Sequence, residues 1–596
     1  MGLPNSRSAD ESGRLDRRRR AILAGLAGTA SVASAGCVQQ VRSIANRESS
    51  EQVSLEVKTV PADTDPRAVK IARVVTNRLS AVGVDAQVTL MDEQELLRDV
   101  LINNDFDVYV ARHPAYDDPD FLRSLLHSQF VAESGWQNPF GFTDLDVDES
   151  LEAQRRTSGS ERFERLAELQ RTVARQQPFA VVAFPDDLWA VRTDRYSGWE
   201  RFGLGRPLGY LALEADGDSP ERLETVVTDG RVTANLNPIA SAFRNRGTFT
   251  GLLYDPLGRN RGDGVEPWLA ADWTWRDESD GGPTATVRLR DDARWHDGRR
   301  VTAADVAFTY EFLADTSLGR EDSSVPAPRF RGRISLVERV RRVDEQTVEF
   351  DFVASDPAVA VRAFTVPVLP EREWRDKSSS TGVAGIEVGD RTTEALVWDN
   401  PTPTGSGPLR FQEKTVGERV VFSRFEDHFL HDGDADAAGL GADFAELDVR
   451  VVPSADAALN FLEAGRADAA SSAIEPRLVP TVARRDGLDL VAETSRSFYH
   501  LGFNVQRPPL GNPRFRRNVA RLLDKEAIVA DVFDGYAVPA VNPLAVTEWS
   551  SPDLAWGDED PVVPFFGDDG ELDAEQAREA FRDAGYQYDD GDLVNR

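Results

Sequence analysis

The sequence predicts an α/β protein with at least two lobes, and three observations support this prediction. A chain of 596 residues is longer than one hydrophobic core normally serves. Residues 53–112 show strand and helix patterns in the order β-α-β-α-β, which is typical of a parallel sheet covered by helices. A polar break at residues 214–222 is followed by a second run of strand and helix patterns.

The elements before the break are predicted from the period of their apolar residues, which is two in a strand and close to four in a helix. In chain order they are a strand at 53–60, a helix at 66–83, a strand at 84–91, a helix at 93–102, a strand at 106–112, a helix at 160–176 and a strand at 179–185.

The last residues also predict a helix. ELDAEQAREAFRDAGY (571–586) places alanines and Phe581 at helical spacing, and Gly585 stands where a helix ends. An acidic turn follows. Leu593-Val594 come next, and the sequence predicts no complete helix or strand that contains them.

The composition is strongly acidic. The net charge is −32, and only five of the 69 basic residues are lysines. Such a surface is typical of adaptation to high salt, where ions screen self-repulsion, and it resembles a haloarchaeal composition. The alternative is a GC-rich genome with an acidic surface. Nucleic acid is not expected as a partner, because phosphate binding needs a basic face.

The N-terminal residues predict export. Residues 17–37 have a basic start, a small and apolar middle, and the single cysteine, Cys37, at the end. Arg19-Arg20 resembles a twin-arginine signal and Ser34-Ala35-Gly36-Cys37 a lipobox, so residues 1–37 are the expected signal and Cys37 the lipidated residue. Residues 38–52 would be a tether. A membrane span is the alternative, but the apolar stretch is too short, since a span needs ~20 residues.

No catalytic or metal-binding pattern is found. The six histidines lack zinc-ligand spacing, and neither a nucleophile elbow nor a phosphate-binding loop is present. His428 and His431 are expected in a solvated acidic loop. The pair His296-Asp297 has the residue types of a catalytic pair. The sequence therefore predicts a protein that is not an enzyme and has no cofactor or metal.

Several motifs in one order resemble a known family. They are Leu253-Tyr254-Asp255-Pro256-Leu257, PWLAADWTW, RWHDGRRVTAADVAFTYEF, GSGPLRF and GFN followed by NPRFRRNVARLLDKEAI. On these motifs, residues 223–586 resemble the extracellular solute-binding proteins of the oligopeptide and dipeptide ABC-transporter class, family 5. The resemblance implies that His296-Asp297 is a connection from a strand to a turn before the helix at 302–314, not a catalytic pair.

The order of the chain differs from that of the family. In the family, the helix ending in AGY is followed by a strand that opens the C-terminal portion. Here residues 53–122 and 179–199 resemble that portion, although they come first. We therefore expect a circular permutation. A fusion or a truncated partial repeat is the alternative.

The resemblance implies a periplasmic-binding-protein-like fold of type II, in the large peptide-binding class: two α/β lobes, a hinge and a ligand cleft between the lobes. Lobe I would comprise residues 216–498 and a return segment, 186–215. Lobe II would comprise residues 499–596 and 53–185, the second of which is equivalent to the family's C-terminal portion.

The resemblance also implies residues that contact solute. Tyr499 and Asn504 flank the strand where the chain crosses between the lobes, and a buried hinge role is the alternative. Asn237 and Ser406 belong to lobe I segments near the cleft, where turn chemistry is the alternative.

The segment ARHPAYDDPDFL (111–122) carries the other candidates, Arg112, His113, Tyr116 and Asp117. In peptide-binding members, an aspartate just before the tyrosine pairs with the α-amino group of the peptide. Here that position is Ala115, which argues against a peptide with a free amine. Arg112 and His113 would favour a less cationic solute.

The expected function is that of a monomeric receptor, lipid-anchored at the outer surface of the membrane after twin-arginine export. It would capture a peptide or another small polar solute and deliver it to ABC permease subunits with their cytoplasmic ATPase. A solute sensor without transport, or an exported peptidase, is the alternative.

Overall fold

A computed structural model describes residues 51–594, apart from residues 134, 217–220, 241–246, 263, 277–280, 382–391 and 432–438. The expected signal, the lipidation site at Cys37 and nearly all of the expected tether lie outside the described residues. Within the described residues, no helix is long and apolar enough to cross a membrane.

The described strands are numbered in chain order. They are β1 (Ser54–Thr59), β2 (Asp85–Leu90), β3 (Val108–His113), β4 (Phe179–Arg192), β5 (Tyr196–Ser197), β6 (Glu214–Ala215), β7 (Arg222–Val227), β8 (Gly258–Asn260), β9 (Val265–Pro267), β10 (Ala270–Arg276), β11 (Thr284–Leu289), β12 (Val337–Arg342), β13 (Thr347–Phe352), β14 (Ser380–Thr381), β15 (Thr392–Thr393), β16 (Leu409–Thr415), β17 (Arg419–Arg424), β18 (Glu446–Val451), β19 (Ala469–Ala470), β20 (Leu488–Thr494), β21 (Phe498–Phe503), β22 (Ala537–Pro539), β23 (Gly567–Asp568), β24 (Glu571–Leu572), β25 (Gln587–Asp589) and β26 (Asp592–Val594).

The described α-helices are numbered in the same way. They are α1 (Pro66–Ala81), α2 (Glu93–Arg98), α3 (Phe121–Leu126), α4 (Leu145–Arg155), α5 (Gly159–Gln176), α6 (Pro207–Leu211), α7 (Arg231–Ala234), α8 (Thr250–Leu253), α9 (Ala303–Ala314), α10 (Arg331–Ile334), α11 (Pro357–Ala360), α12 (Glu371–Trp374), α13 (Glu394–Val397), α14 (Ala455–Glu463), α15 (Val479–Val482), α16 (Pro513–Ala520), α17 (Lys525–Phe533) and α18 (Ala574–Asp583).

One sheet runs through both lobes. Its strand order is β16-β17-β18-β7-β19-β4-β21-β3-β1-β2, and β20 and β22 also pair with β4. In lobe II, β1 is parallel to β2 and β3, while β21 is antiparallel to β3 and β4. Strands from the start of the chain and from residues 498–503 are therefore neighbours in one sheet.

Helix α1 shows how the sequence covers this sheet. The side chain of Asp65 accepts hydrogen bonds from the backbone N–H groups of Arg67 and Ala68, and Pro66 stands at the first helical position. Val75 and Leu79, one turn apart, are buried. The apolar face therefore packs on the strands, as its spacing predicts.

Strand β4 connects the lobes. Its first half pairs with β21 and β22, and residues 186–192 pair with β20. The chain crosses back through residues 494–498, where the backbone N–H of Ser495 donates to the carbonyl of Pro185 at 3.0 Å. We call residues 185–187 together with residues 494–498 the hinge. The expected strand at 179–185 is therefore only the first half of the observed one.

The two lobes have separate hydrophobic cores. The lobe II core contains buried residues from two stretches of chain, Val53 to Phe184 and Phe498 to Leu593. The lobe I core lies between Trp189 and Ala469 in the sequence and includes a four-stranded antiparallel sheet, β10-β11-β13-β12. Residues 53–184 thus have no core of their own that is separate from that of residues 498–593.

The last described residues form an element that the sequence did not predict. Strands β25 and β26 make a hairpin through a turn at Asp590 and Gly591, both with positive φ. The N–H of Val53 donates to the carbonyl of Leu593 at 2.8 Å. The N–H of Leu593 donates to the carbonyl of Gly83 at 2.8 Å. The expectation that Leu593-Val594 belong to no complete element is therefore wrong.

The five lysines are in unequal surroundings. Lys58 and Lys525 are buried and form ion pairs with Asp99 at 2.8 Å and Asp560 at 2.7 Å. Lys377 and Lys414 are half-buried, whereas Lys70 on α1 is exposed.

Candidate functional site: a cavity between the lobes

A cavity of about 410 Å³ opens between the two lobes. Lobe II contributes the segment after β3, within residues 113–125, together with Trp136 and Gln137. Lobe I contributes residues from 250–260 and 328–333, and the hinge strands close one side. Its volume lies near the lower end of the range of about 300–1,000 Å³ that is usual for ligand pockets.

Three of the predicted site residues line this cavity: His113, Tyr116 and Asp117. Strand β3 ends at His113, so the following residues leave the sheet at its edge and face lobe I. Ala115 lines the cavity too, at the position where the family resemblance places an aspartate in peptide-binding members.

His113 forms an apolar part of the wall. Its ring stacks on Phe498 with the centroids 4.8 Å apart, and Nδ1 lies 2.7 Å from the carbonyl oxygen of Pro114. Burial lowers the pKa of His113 to about 4. The imidazole is therefore uncharged at neutral pH.

Tyr116 and Asp117 are already engaged by neighbouring groups. The Tyr116 hydroxyl donates to the carbonyl of Pro543, and its ring stacks on Phe121 at 4.0 Å. Asp117 accepts a hydrogen bond from Nη2 of Arg333 at 3.0 Å. Its carboxylate therefore already has a cationic partner.

Arg112 and Tyr499 do not line the cavity; they lie behind it, at the hinge. Arg112 donates from Nε to Ser497 at 2.7 Å and from Nη2 to Asp187 at 2.9 Å, which joins both crossings of the chain. The hydroxyl of Tyr499 donates to the carboxylate of Asp65, the N-cap of α1.

Asn237, Ser406 and Asn504 are also buried away from the cavity lining. The amide of Asn237 donates to two backbone carbonyls at 2.7 and 2.8 Å, and that of Asn504 donates to two others at 3.1 Å. Ser406 accepts from the backbone N–H of Asp255 at 3.2 Å. Solute contact by these three residues stays a prediction.

Sequence reasoning missed the arginines of the cavity. They come from five separate stretches of chain, so no short motif contains them all, although the alternating arginines of PRFRGR (328–333) were a visible signal. The lining arginines are Arg206, Arg259, Arg329, Arg333, Arg362 and Arg496. The lining carboxylates are Asp117, Asp187 and Glu493.

Ion pairs join the two lobes beside the cavity, and we call them the front interface. They are Arg331–Glu133 at 2.7 Å, Arg333–Asp117 at 3.0 Å, Arg362–Asp120 at 2.7 Å and Arg362–Asp118 at 3.5 Å. In each pair the arginine belongs to lobe I and the carboxylate to lobe II.

Asp120 is the most buried member of the front interface. Its carboxylate accepts from Nε and Nη2 of Arg155 at 2.9 and 2.7 Å, from Arg362 and from Gln154. Burial alone would raise the pKa of Asp120, but the charges of Arg155 and Arg362 hold it well below its usual value. The carboxylate is therefore ionised at any pH near neutral.

A second buried carboxylate supports the lobe I wall. Asp255 of the LYDPL motif accepts from Arg259 at 3.1 Å, from the indole of Trp268 at 2.7 Å and from His428 at 3.1 Å. The guanidinium of Arg259 lies over the Trp268 ring. His428 is buried, so the expectation of a solvated loop at this residue is wrong.

His296, which precedes Asp297 in the sequence, is held by backbone groups. Both ring nitrogens of His296 face backbone groups: Nδ1 accepts from the N–H of Gly405 at 3.1 Å, and Nε2 lies 3.0 Å from the carbonyl of Gly407. Burial lowers the pKa of His296 to about 4. In the described part of the chain, no group of three or more His, Cys, Asp or Glu side chains could hold a metal ion.

Two α/β lobes joined by hinge strands, with a polar cavity between them, define a two-lobed binding-protein fold. The model of the bacterial extracellular solute-binding proteins, family 5 Middle, matches residues 264–595, which is more than half of the 596 residues. The chain belongs to this family. The expected family and the expected two-lobed α/β fold are confirmed.

Curated relatives match part of the chain. The oligopeptide-binding protein AppA of Bacillus subtilis is 24% identical over 319 residues, which cover 53% of this chain and 51% of that protein. The dipeptide-binding protein of Escherichia coli is 23% identical over 333 residues, which cover 54% and 55%. The chain thus spans about half the length of these curated relatives.

Solved structures are also similar. NikZ from Campylobacter jejuni in complex with Ni(L-His) is 20% identical, with a TM-score of 0.45, covering 63% of this chain and 66% of that one. AppA from Bacillus subtilis in complex with a nonapeptide is 20% identical, with a TM-score of 0.44 and the same coverage.

Proposed function

We propose that this protein is the solute-binding component of an ABC importer and holds a peptide or another small polar solute between its lobes. The observation that carries this proposal is the cavity of about 410 Å³ between the two lobes. Membership of the solute-binding family supports it. Relatives and neighbours are named for oligopeptides, dipeptides, haem and a nickel–histidine complex, so family membership does not select the solute.

Calorimetry of the purified protein against peptides, sugars and nickel complexes tests solute binding. Uptake of the solute found in this way is then measured in cells with and without the protein. Uptake that depends on the protein supports the importer role. Binding with unchanged uptake would favour a sensor, and a panel in which nothing binds would contradict the proposal.

We propose no enzymatic role. The engagement of both His296 nitrogens by backbone groups supports this, because a general base needs a free lone pair. Peptide turnover that is lost in His296→Ala would overturn it.

We propose that twin-arginine export and lipidation at Cys37 place the protein at the outer surface of the membrane. The basic start of the signal pattern and the single cysteine at its end support this location. Mass spectrometry of the mature N-terminus, and membrane fractionation of Cys37→Ser, test it. A Cys37→Ser protein that stays fully on the membrane would contradict the anchor.

We also propose that the chain is circularly permuted relative to its family. The shared lobe II core and the 2.8 Å hydrogen bond from Val53 to Leu593 support this order, because a short link could join the two segments. Since β4 runs through residues 179–192, the segment to move is 53–215 rather than 53–185. Moving it behind Arg596 should give a protein with the same circular dichroism spectrum and cooperative melting; an unfolded product would contradict the proposal.

We propose that the fold is adapted to high salt. The chain has a net charge of −32, and its negative groups repel one another most strongly in dilute buffer, where the Debye length is ~30 Å at 0.01 M. The melting temperature should rise from dilute buffer to molar potassium chloride. Equal melting temperatures in the two buffers would remove the case for adaptation.

A further inference from the structure

We propose that the solute is an anion and that Arg329 binds its carboxylate group. This inference rests on the proposed function, because it assumes that the cavity between the lobes holds the solute. It adds the charge class of the solute and the residue that selects it.

The charge of the cavity is opposite to that of the chain. The whole protein carries a net charge of −32, yet arginines outnumber carboxylates six to three among the described residues that line the cavity. His113, which also lines the cavity, is neutral because burial lowers its pKa to about 4. A positive cavity in an acidic protein concentrates anions and repels cations.

Most lining charges are already paired. The three carboxylates among the described lining residues all have arginine partners, so a solute ammonium would find no uncompensated carboxylate in this part of the lining. Four arginines have carboxylate partners as well: Arg206–Glu493 at 3.0 Å, Arg259–Asp255 at 3.1 Å, Arg333–Asp117 at 3.0 Å and Arg362–Asp120 at 2.7 Å. Arg329 and Arg496 have no carboxylate within ion-pair distance among the described residues.

Arg329 is the better placed of these two. Arg496 donates to the carbonyl of Asp117 at 3.3 Å on the exposed side of the hinge. Arg329 donates from Nη1 to the carbonyl of Pro238 at 3.0 Å, while its guanidinium lies over Phe330, 5.4 Å from the ring centroid. Its remaining N–H donors have no acceptor among the described residues, so they are available to a bound solute.

The surroundings of Arg329 are built around its guanidinium. Nη2 packs against the backbone of Gly247, where an added Cβ would lie only 1.9 Å away. Gly247 has a φ of +60°, and its missing side chain leaves the space that the guanidinium occupies. Arg333, one helical turn along, lies over the same Phe330 ring at 5.9 Å.

This position keeps a positive charge that no described carboxylate compensates. Burial, and then the like charge of Arg333, lower the pKa of Arg329 to about 9. The unliganded fold therefore carries a destabilising cation, which a carboxylate would offset. A guanidinium binds a carboxylate through two parallel hydrogen bonds, which gives both affinity and orientation.

Calorimetry at constant ionic strength tests the inference with probes that differ only in charge. The peptide arm uses trialanine as the N-acetyl acid, as the free-amine amide, and with both ends blocked. The second arm uses glutarate against glutaramide. We expect an anionic probe to bind at least about tenfold more tightly than its neutral or cationic counterpart, and the two arms distinguish a peptide carboxylate from a simple dicarboxylate.

Arg329→Gln should weaken the anionic probe roughly 10- to 100-fold, as for the loss of a hydrogen bond to a charged group. Arg329→Lys keeps the charge but not the planar guanidinium, so its affinity for the anionic probe should lie between those of the wild type and Arg329→Gln. Arg342→Gln, on the exposed strand β12, removes the same charge far from the cavity and should bind like the wild type. Unliganded Arg329→Gln should melt no lower than the wild type, which separates weak binding from poor folding.

Each other outcome counts against the inference. Tighter binding of the neutral or cationic peptide would overturn the anionic class while leaving solute binding intact. An unchanged preference in Arg329→Gln would overturn the role of Arg329. No binding of any anionic probe would overturn the inference, and the uptake experiment would still decide the proposed function separately.

Discussion

The two lobes are joined at the hinge by backbone and at the front interface by charge. At the hinge, β4 continues from one lobe to the other, and the returning chain pairs with it. At the front interface, three arginines of lobe I meet carboxylates of lobe II. Backbone ladders persist over a wide range of salt and pH, whereas ion pairs respond to both. Solution conditions should therefore act on the front interface before they act on the hinge.

The ion pairs of the front interface differ in burial, and replacing Asp120, the most buried carboxylate, should give the largest loss of stability. Asp120→Asn removes the countercharge of Arg155 and Arg362, so we expect a loss of about 3–5 kcal/mol in the free energy of unfolding, as for breaking a buried ion pair. Urea unfolding measures it.

Asp553→Asn is the matched control for this experiment, because Asp553 also pairs with an arginine, Arg171, but on an exposed surface. It should cost less than about 1 kcal/mol. Equal losses in the two variants would contradict the view that burial gives Asp120 its weight.

Lowering the pH should give the next largest loss of stability. Burial alone would raise the pKa of Glu152, but His127 and Arg123 lower it to about 2, and the pKa of Asp120 is lowered as well. Groups with lowered folded pKa values stabilise the protein above their unfolded values, near 4, and this stability is lost as pH falls below them. The melting temperature should therefore drop between about pH 4.5 and pH 2.

Asp120→Asn serves as the comparison for the acid experiment. It lacks one of the carboxylates that must take up a proton, so its melting temperature should fall less steeply with pH than that of the wild type. Parallel curves would show that Asp120 is not part of the acid response.

A smaller loss is expected at the hinge. Arg112→Met removes the hydrogen bonds to Ser497 and Asp187 that tie the two crossings together, at a cost of about 1–3 kcal/mol. Arg112→Lys keeps the charge but not both contacts, and chemical denaturation of the two variants measures the difference. Full stability of the lysine variant would mean that charge alone matters there.

The smallest change in stability is expected from the exposed pairs of the front interface. Asp117→Asn with Glu133→Gln should cost less than about 1 kcal/mol per pair, because both pairs are partly solvated. Small-angle X-ray scattering should instead show a larger radius of gyration, as the lobes separate. We thus expect these two pairs to hold the lobes together while adding little to the free energy of unfolding. A loss of stability as large as that of Asp120→Asn would contradict this expectation.

The same contrast explains which parts of the fold could be predicted from the sequence. Strand β1 and helix α1 followed from their apolar periods, within two residues at each end. The second half of β4 was missed because Asp186 and Asp187 interrupt its apolar run. Asp187 faces Arg112 across the hinge, and only the tertiary structure supplies that partner.

The candidate site was less predictable than the fold. Family resemblance led to the segment containing His113, Tyr116 and Asp117, which lines the cavity. It did not lead to Arg329, because the spacing of the arginines in PRFRGR (328–333) does not by itself indicate solute contact in a chain with 69 basic residues. Its significance comes from the partners that it lacks, and these are visible only in three dimensions.

The unequal surroundings of the five lysines have a practical consequence. Amine-reactive dyes need an accessible, deprotonated amine, and Lys58 and Lys525 are shielded in ion pairs. Lys70 stands exposed on lobe II, so a succinimidyl ester should attach there in preference to the other four side chains. An acidic protein with so few lysines can thus carry a side-chain fluorophore on helix α1 of lobe II, without an engineered cysteine, and report on lobe movement in real time.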